Sequence, residues 1–375
     1  MDFSLIVLVV IVAALAFDFT NGFHDTANAM ATSIATGALR PRVAVAISAV
    51  LNLVGAFLSV EVAKTISGGI VDDTKVTPVI IFAGLVGAIV WNLLTWLVGL
   101  PSSSSHALFG GLIGATWIAS GSDAVHFAKV VEKVLIPALA SPIVAGIVAI
   151  AGTFLVYRIT AKARQDVVGK TFKTGQVLSA SLVSLAHGTN DAQKTMGVIT
   201  LTLIASGSLA PGSGPPLWVI LSAGGAIALG TYLGGWRIIQ TMGKKLTEIQ
   251  TPQGFAAETS AAAVILASSH LGFALSTTHV CSGGIIGSGI GRKLAEVRWG
   301  VAGKMVIAWA LTLPAAAIVG AVAAEVSTRG SWGTILVGVA GVLVALGIYL
   351  ASKRNPVNAK TVNDPENEQP QPVAA

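Results

Sequence analysis

Two ten-residue stretches hold most of the polar chemistry of this chain, NGFHDTANAM at 21–30 and HGTNDAQKTM at 187–196. The first offers Asn21, His24, Asp25 and Asn28, and the second offers His187, Asn190, Asp191 and Lys194, each inside an otherwise apolar run. Ionisable side chains at membrane depth are costly and are functional candidates by default. The Asp25 and Asp191 carboxylates can ligate Na+ through hard oxygen donors, or can take up a proton. Other readings are open for the neighbours: His24 or His187 as a hydrogen-bonded packing residue, Lys194 as a snorkelling or carboxylate-neutralising group. Asp25 and Asp191 are harder to set aside. They coincide when the stretches are aligned, as do Gly22 with Gly188 and Met30 with Met196. Asp18 and Glu258 also lie in apolar segments, where a position near the membrane surface fits either; Glu258 joins Asp25, Asp191 and Asn21 as a coupling-ion candidate.

A second pair of motifs complements the first. PSSSSH at 101–106 and LSTTH at 275–279 each run from a break through hydroxyl residues into a glycine-rich apolar stretch. That order reads as a helix N-terminus capped by Ser or Thr. Such an end presents free N–H groups and a positive dipole, which suit an oxyanion. Ser103, Ser104, Ser105, Thr277 and Thr278, with Asn28 and Asn190, are the candidate anion donors. Carboxylates repel an anion, so both motifs can share one centre only if a cation or proton joins them. Charge balance therefore points to cation-coupled anion transport.

The elements that must position these residues are membrane helices. Of 375 residues, 53% are hydrophobic and 11% charged, against about 25% charged in soluble domains. Mean hydropathy is +0.78. Apolar spans read at 3–20, 23–39, 43–61, 78–99, 104–120, 135–157, 176–206, 217–236, 254–274, 277–290, 300–324 and 332–351, an all-α polytopic membrane protein. The first two spans read as one long helix interrupted near Asn21-Gly22. Spans 104–120 and 277–290 are short, as half-helices or hairpin arms would be. The N-terminus lacks a basic segment and reads as a first span rather than a cleaved signal. A single cysteine, Cys281, excludes an internal disulfide or a cysteine metal cluster. The net charge of +6 sits in loops between spans and does not imply nucleic acid. No cofactor is expected beyond the coupling cation.

Both motif pairs recur in the same order, which makes the chain an internal duplication: 1–157, a basic linker 158–175, a second repeat 176–351, and a polar tail 352–375 expected to be disordered. Loop charges orient the halves. Arg40 and Arg42 follow the first motif, whereas the uncharged SGSLAPGSGPP follows the second. Loops carrying Lys64, Lys75, Lys129 and Lys133 correspond to loops carrying Arg237, Lys244, Lys245, Arg292, Lys293 and Arg298. Equivalent loops thus fall on opposite sides by the positive-inside rule. This predicts inverted-topology repeats with broken helices or hairpins at a central site. Five crossings per half fit, with the N-terminus outside and the C-terminus inside if 332–351 spans once.

At these motifs the sequence resembles the PiT family of inorganic phosphate transporters. NGFHDTANAMATSIATGAL and AHGTNDAQKTMGVITL are similar to its paired signatures, and PSSSSHALFGGLIGA and LSTTHVCSGGIIGSG to further family segments in the expected order. The resemblance spans about 15–320 and implies phosphate import by symport with H+ or Na+ through the cell membrane, with the cargo free or as a metal-phosphate. It places Asp25, Asn28, Asn190 and Asp191 near ion and phosphate, with Ser103, Ser104, Ser105, Thr277 and Thr278 as phosphate donors, and implies a homodimer. His24 departs from the family's usual Asn, which stands at Asn190 in the second copy. The short linker 158–173 is of bacterial type. A sulfate or other tetrahedral oxyanion permease is the first alternative, and a passive anion channel a lesser one. An intramembrane hydrolase lacks an H-E-x-x-H or G-x-S-x-G motif, so the chain reads as no enzyme.

Overall fold

The computed structural model describes residues 4–292 and 297–363. In chain order the helices are α1 (Leu5–Ala35), α2 (Pro41–Gly55), α3 (Glu61–Gly69), α4 (Pro78–Leu97) and α5 (Ser104–Ser120). Then come α6 (Phe127–Thr160), α7 (Gln165–Ala205), α8 (Leu217–Leu233) and α9 (Trp236–Lys245). The last are α10 (Thr251–His270), α11 (Thr277–Arg292), α12 (Trp299–Ser327) and α13 (Ser331–Ser352). Prolines open α2, α4 and α10, where a missing N–H costs nothing because the first turn leaves those groups unpaired. Among the described residues five helices (α1, α4, α6, α12 and α13) are long and apolar enough to cross a membrane; α8 with α9, bent by 62°, makes a sixth if taken as one span. The protein is a multi-pass membrane protein.

The two halves interlock element by element. Helix α1 packs on α8 and α9, and its counterpart α7 packs on α2 and α3. Likewise α5 lies along α12, and α11 along α6. Even the loop pairings recur: Val71 bridges Val125, and Thr247 bridges Val297. Each half therefore completes its helix contacts with the other, and the two central motifs meet at the seam.

Loop contacts gather at two ends of the bundle. At one end Arg237 donates to the carbonyls of Leu97, Ser352 and Asn355, Asn363 donates to Ile34, and Tyr157 donates to Gln250. At the other, Thr65 donates to Gly272 O and Ser120 to Lys75 O, beside the Val71–Val125 bridge.

Three expectations change. No break occurs at Asn21-Gly22; α1 runs through both residues. Gly22 serves packing instead, since a Cβ there would sit 2.3 Å from Ile227 O. The expected linker is mostly helix, with α6 ending at Thr160 and α7 beginning at Gln165. Residues 353–363 of the tail lie against the bundle, where Val362 is buried. Residues 364–375, and Lys293 among the loop charges, lie outside the described residues.

Candidate functional site

The site begins with two glycines one turn before the carboxylates. A Cβ on Gly188 would sit 2.2 Å from Asn52 O on α2, mirroring Gly22 against α8. Only glycine permits this approach. It presses the middle of α1 and α7 into the seam, so that Asp25 and Asp191 point at a shared centre, 1% and 0% exposed.

His187 lies between the carboxylates, its Nε2 3.3 Å from Asp191 Oδ2 and 4.0 Å from Asp25 Oδ2. Ligand atoms of Asp25, His187 and Asp191 all fall within 4.8 Å of one another. His24 Nδ1 is 2.6 Å from Asp25 Oδ1, while its Nε2 meets Thr95 and Ser102 hydroxyls at 3.2 and 3.3 Å. Lys194 Nζ donates to Asp191 Oδ1 at 2.6 Å, and Asn21 donates to Asp191 Oδ2 at 3.3 Å.

The hydroxyl motifs arrive as broken helix ends. Glycines at φ +68° (Gly99) and φ +70° (Gly272) turn the chain before each, a conformation costly for other residues. Ser103 caps α5 by accepting from His106 N at 3.1 Å, and Ser276 caps α11 by accepting from His279 N at 3.2 Å. Each end then gives one hydroxyl to the carboxylate of its own half: Ser104 to Asp25 at 2.9 Å and Thr277 to Asp191 at 3.4 Å. Thr278 crosses to Asp25 at 3.4 Å, and Ser105 donates to Leu275 O at 3.2 Å. Asn28 donates to both Thr277 and Thr278, at 3.2 and 3.1 Å.

The buried side-chain oxygens Asn21 Oδ1 and Asn28 Oδ1 have no donor among the described residues. Unmatched amide oxygens beside two carboxylates are the hard donor set that a metal cation such as Na+ takes up. The two helix N-termini supply the opposite character a few ångströms away.

Two expected site residues lie apart. Asn190 turns its amide nitrogen to Ser269 Oγ and Phe273 O, at 2.9 and 3.3 Å, and among the described residues makes no hydrogen bond to the helix ends or the carboxylates. Its Oδ1 has no partner among the described residues. Glu258 forms its own buried cluster, accepting from Thr32, from Ser33 at 2.7 Å, from Gln176 at 3.2 Å and from Ser179 at 2.5 Å. Thr32 and Ser33 sit about one turn along α1 from Asn28, so the cluster extends the polar path rather than forming the centre. Sequence reasoning missed Thr95, Gln176, Ser179 and Ser269. Their one signal was polarity within apolar spans. Asp18, an ionisable residue within an apolar segment, is 0% exposed, and neither of its oxygens has a donor among the described residues.

With that geometry in view, the matches to known proteins are direct. The profile of the phosphate transporter family matches residues 21–168 and 159–320. The chain belongs to that family. A Mycobacterium tuberculosis protein described as "Probable low-affinity inorganic phosphate transporter" is 58% identical over 361 residues, covering 96% of this chain and 87% of its own length. A Bacillus subtilis protein of the same description is 43% identical over 333 residues, covering 86% of this chain and 98% of its own. A solved structure described as "The sodium-dependent phosphate transporter" superposes with a TM-score of 0.78 at 25% identity, covering 86% of this chain and 99% of that one. Membership of this family makes the chain a transporter and not an enzyme.

Proposed function

We propose that the protein imports inorganic phosphate by symport with H+ or Na+, the site opening to each side of the membrane in turn. The observation that carries this is the meeting of two hydroxyl-capped helix ends with two buried carboxylates. Helix N-termini suit phosphate oxygens. The carboxylates repel phosphate until a cation or proton joins them, and that requirement is the coupling. Phosphate as cargo is supported by the descriptions of the relatives, and a coupling cation by the sodium dependence stated for the similar solved structure.

Ser104, Ser105, Thr277 and Thr278 would face the anion, whereas Asp25 and Asp191, with the amide oxygens of Asn21 and Asn28, would face the cation. Asn190 and Ser103 would act behind them, one fastening the loop before α11 and one capping α5. Burial of every one of these residues fits a state closed to both sides. The inverted arrangement of the halves belongs to the same reading. It is supported by the reciprocal packing and by basic residues of separate loops that meet at one end of the bundle, with Arg42 beside Lys360 and Arg237 on Ser352 and Asn355. A homodimer, and a cargo of free or metal-bound phosphate, rest on the family resemblance.

Labelled phosphate uptake into proteoliposomes tests the reading. An imposed cation gradient should drive accumulation, arsenate should compete, and sulfate should not. Inhibition by sulfate but not by arsenate would overturn phosphate as the cargo.

A further inference from the structure

The two copies of the central motif differ at one position that changes the charge of the site. Three residues beyond the carboxylate stands Asn28 in the first copy and Lys194 in the second. That spacing is about one helical turn, so each side chain shares a face with its carboxylate. Asn28 spends its amide on Thr277 and Thr278. Lys194 turns to Asp191, with Nζ 2.6 Å from Oδ1 and 0% of the residue exposed.

A buried ammonium is tolerated only when paired and hydrogen-bonded. Held on the same helix as its partner, Lys194 meets Asp191 at an effective concentration that a dissolved ion does not match. Among the described residues no lysine or arginine pairs with Asp25. Its partners are His24, Ser104 and Thr278, with His187 at 4.0 Å. Around the Lys194–Asp191 pair stand His187, its Nε2 3.3 Å from Asp191 Oδ2, Asp18 on α1, His106 on α5 and Cys281 on α11. The asymmetry is one of charge rather than of frame, because Ser104 and Thr277 serve the two carboxylates alike.

We propose that Lys194 is a tethered stand-in for one coupling cation. It brings to Asp191 the positive charge that a diffusible cation brings to Asp25. Each phosphate is then carried with one cation fewer than two lysine-free half-sites would require. This inference rests on the symport reading above.

Lys194→Asn restores the residue of the first copy, and Lys194→Arg keeps the charge. The full-length protein and both variants are reconstituted, and the phosphate gradient at zero net flux is measured against imposed H+ and Na+ gradients. Wild type and Lys194→Arg should share one coupling number, and Lys194→Asn should exceed it by one. Phosphate affinity of Lys194→Asn at low cation should fall about tenfold or more and recover at high cation. An unchanged coupling number in an active Lys194→Asn overturns the inference. If Lys194→Asn does not transport, phosphate binding in detergent is titrated with the cation. A steeper cation dependence than wild type supports the inference; equal steepness, or no binding at any cation concentration, overturns it. A wild type that ignores both gradients would instead overturn the symport reading, a distinct result.

Discussion

Asp25 and Asp191 occupy the same position in two copies of one motif, yet their company differs. Asp25 is met by an imidazole at 2.6 Å and by hydroxyls of both broken helix ends. Asp191 is met by an ammonium at 2.6 Å, an amide at 3.3 Å, the His187 imidazole at 3.3 Å and one hydroxyl. Both copies share one frame, namely the glycine approach, the capped helix end and the seam. On the proposed reading, Lys194 compensates one half-site from within and leaves the other to a diffusible charge. On that reading, the symmetric parts would hold the anion and the asymmetric parts would set what travels with it.

The largest expected effect separates the two carboxylates. Asp25→Asn and Asp191→Asn should each reduce coupled uptake more than about 100-fold, by removing the charge that demands a cation. Only Asp191→Asn leaves an ammonium buried without its counter-ion, an imbalance of about 3–5 kcal/mol. Thermal unfolding in detergent should therefore show Asp191→Asn clearly less stable than Asp25→Asn, and Asp191→Asn with Lys194→Asn recovering most of the loss. Equal stability of the two single variants would break the comparison.

The shared frame predicts the next effect, which should be alike in both halves. Gly22→Val and Gly188→Val each drive a side chain into a backbone carbonyl at 2.3 and 2.2 Å. Both should lower the yield of folded protein strongly, read by monodispersity in detergent, because the obstructing atoms are backbone and cannot swing aside. A well-folded variant of either would show that the seam is looser than its geometry.

Smaller changes are expected at the helix ends. Ser104→Ala with Ser105→Ala, and Thr277→Val with Thr278→Val, should each raise the KM for phosphate about tenfold or more, since a hydrogen bond to a charged group is worth about 1.5–3 kcal/mol. Neither pair should change the coupling number. A changed coupling number in one pair would move its hydroxyls from the anion to the cation.

Glu258 offers the finest distinction, because the first repeat has no carboxylate in the corresponding span 78–97. Glu258→Gln keeps the size of the side chain while removing its charge from the cluster of Thr32, Ser33, Gln176 and Ser179. It should shift the cation dependence of uptake while phosphate binding at saturating cation stays within about twofold. Lost phosphate binding would place Glu258 at the anion instead.

Much of this was legible in the chain because duplication writes each constraint twice. Asp25 with Asp191, and Ser104 with Thr277, stood out because two polar motifs recur in order within apolar spans. What stayed hidden depended on contacts far apart in sequence. Gly22 looked like a helix break, and its role appears only when α8 lies against it. Asn190 looked like Asn28, but the loop before α11 draws its amide away to Phe273 O. His24 gave no sign that Thr95 and Ser102 hold its far nitrogen. Lys194 was ambiguous between a snorkelling lysine and an ion-pair partner. Its spacing allows contact with Asp191, and only full burial excludes the first.

The central claim is that an anion held by two helix ends must be accompanied by a cation at the carboxylates. The most direct measurement is phosphate uptake into proteoliposomes, comparing an imposed pH gradient with an imposed Na+ gradient in wild type and Asp25→Asn. Wild type should accumulate phosphate against its gradient under one of the two and lose that accumulation with the matching ionophore, while Asp25→Asn should not accumulate it under either. Phosphate entry that only equilibrates, with the same extent in both proteins and under both gradients, would contradict the account.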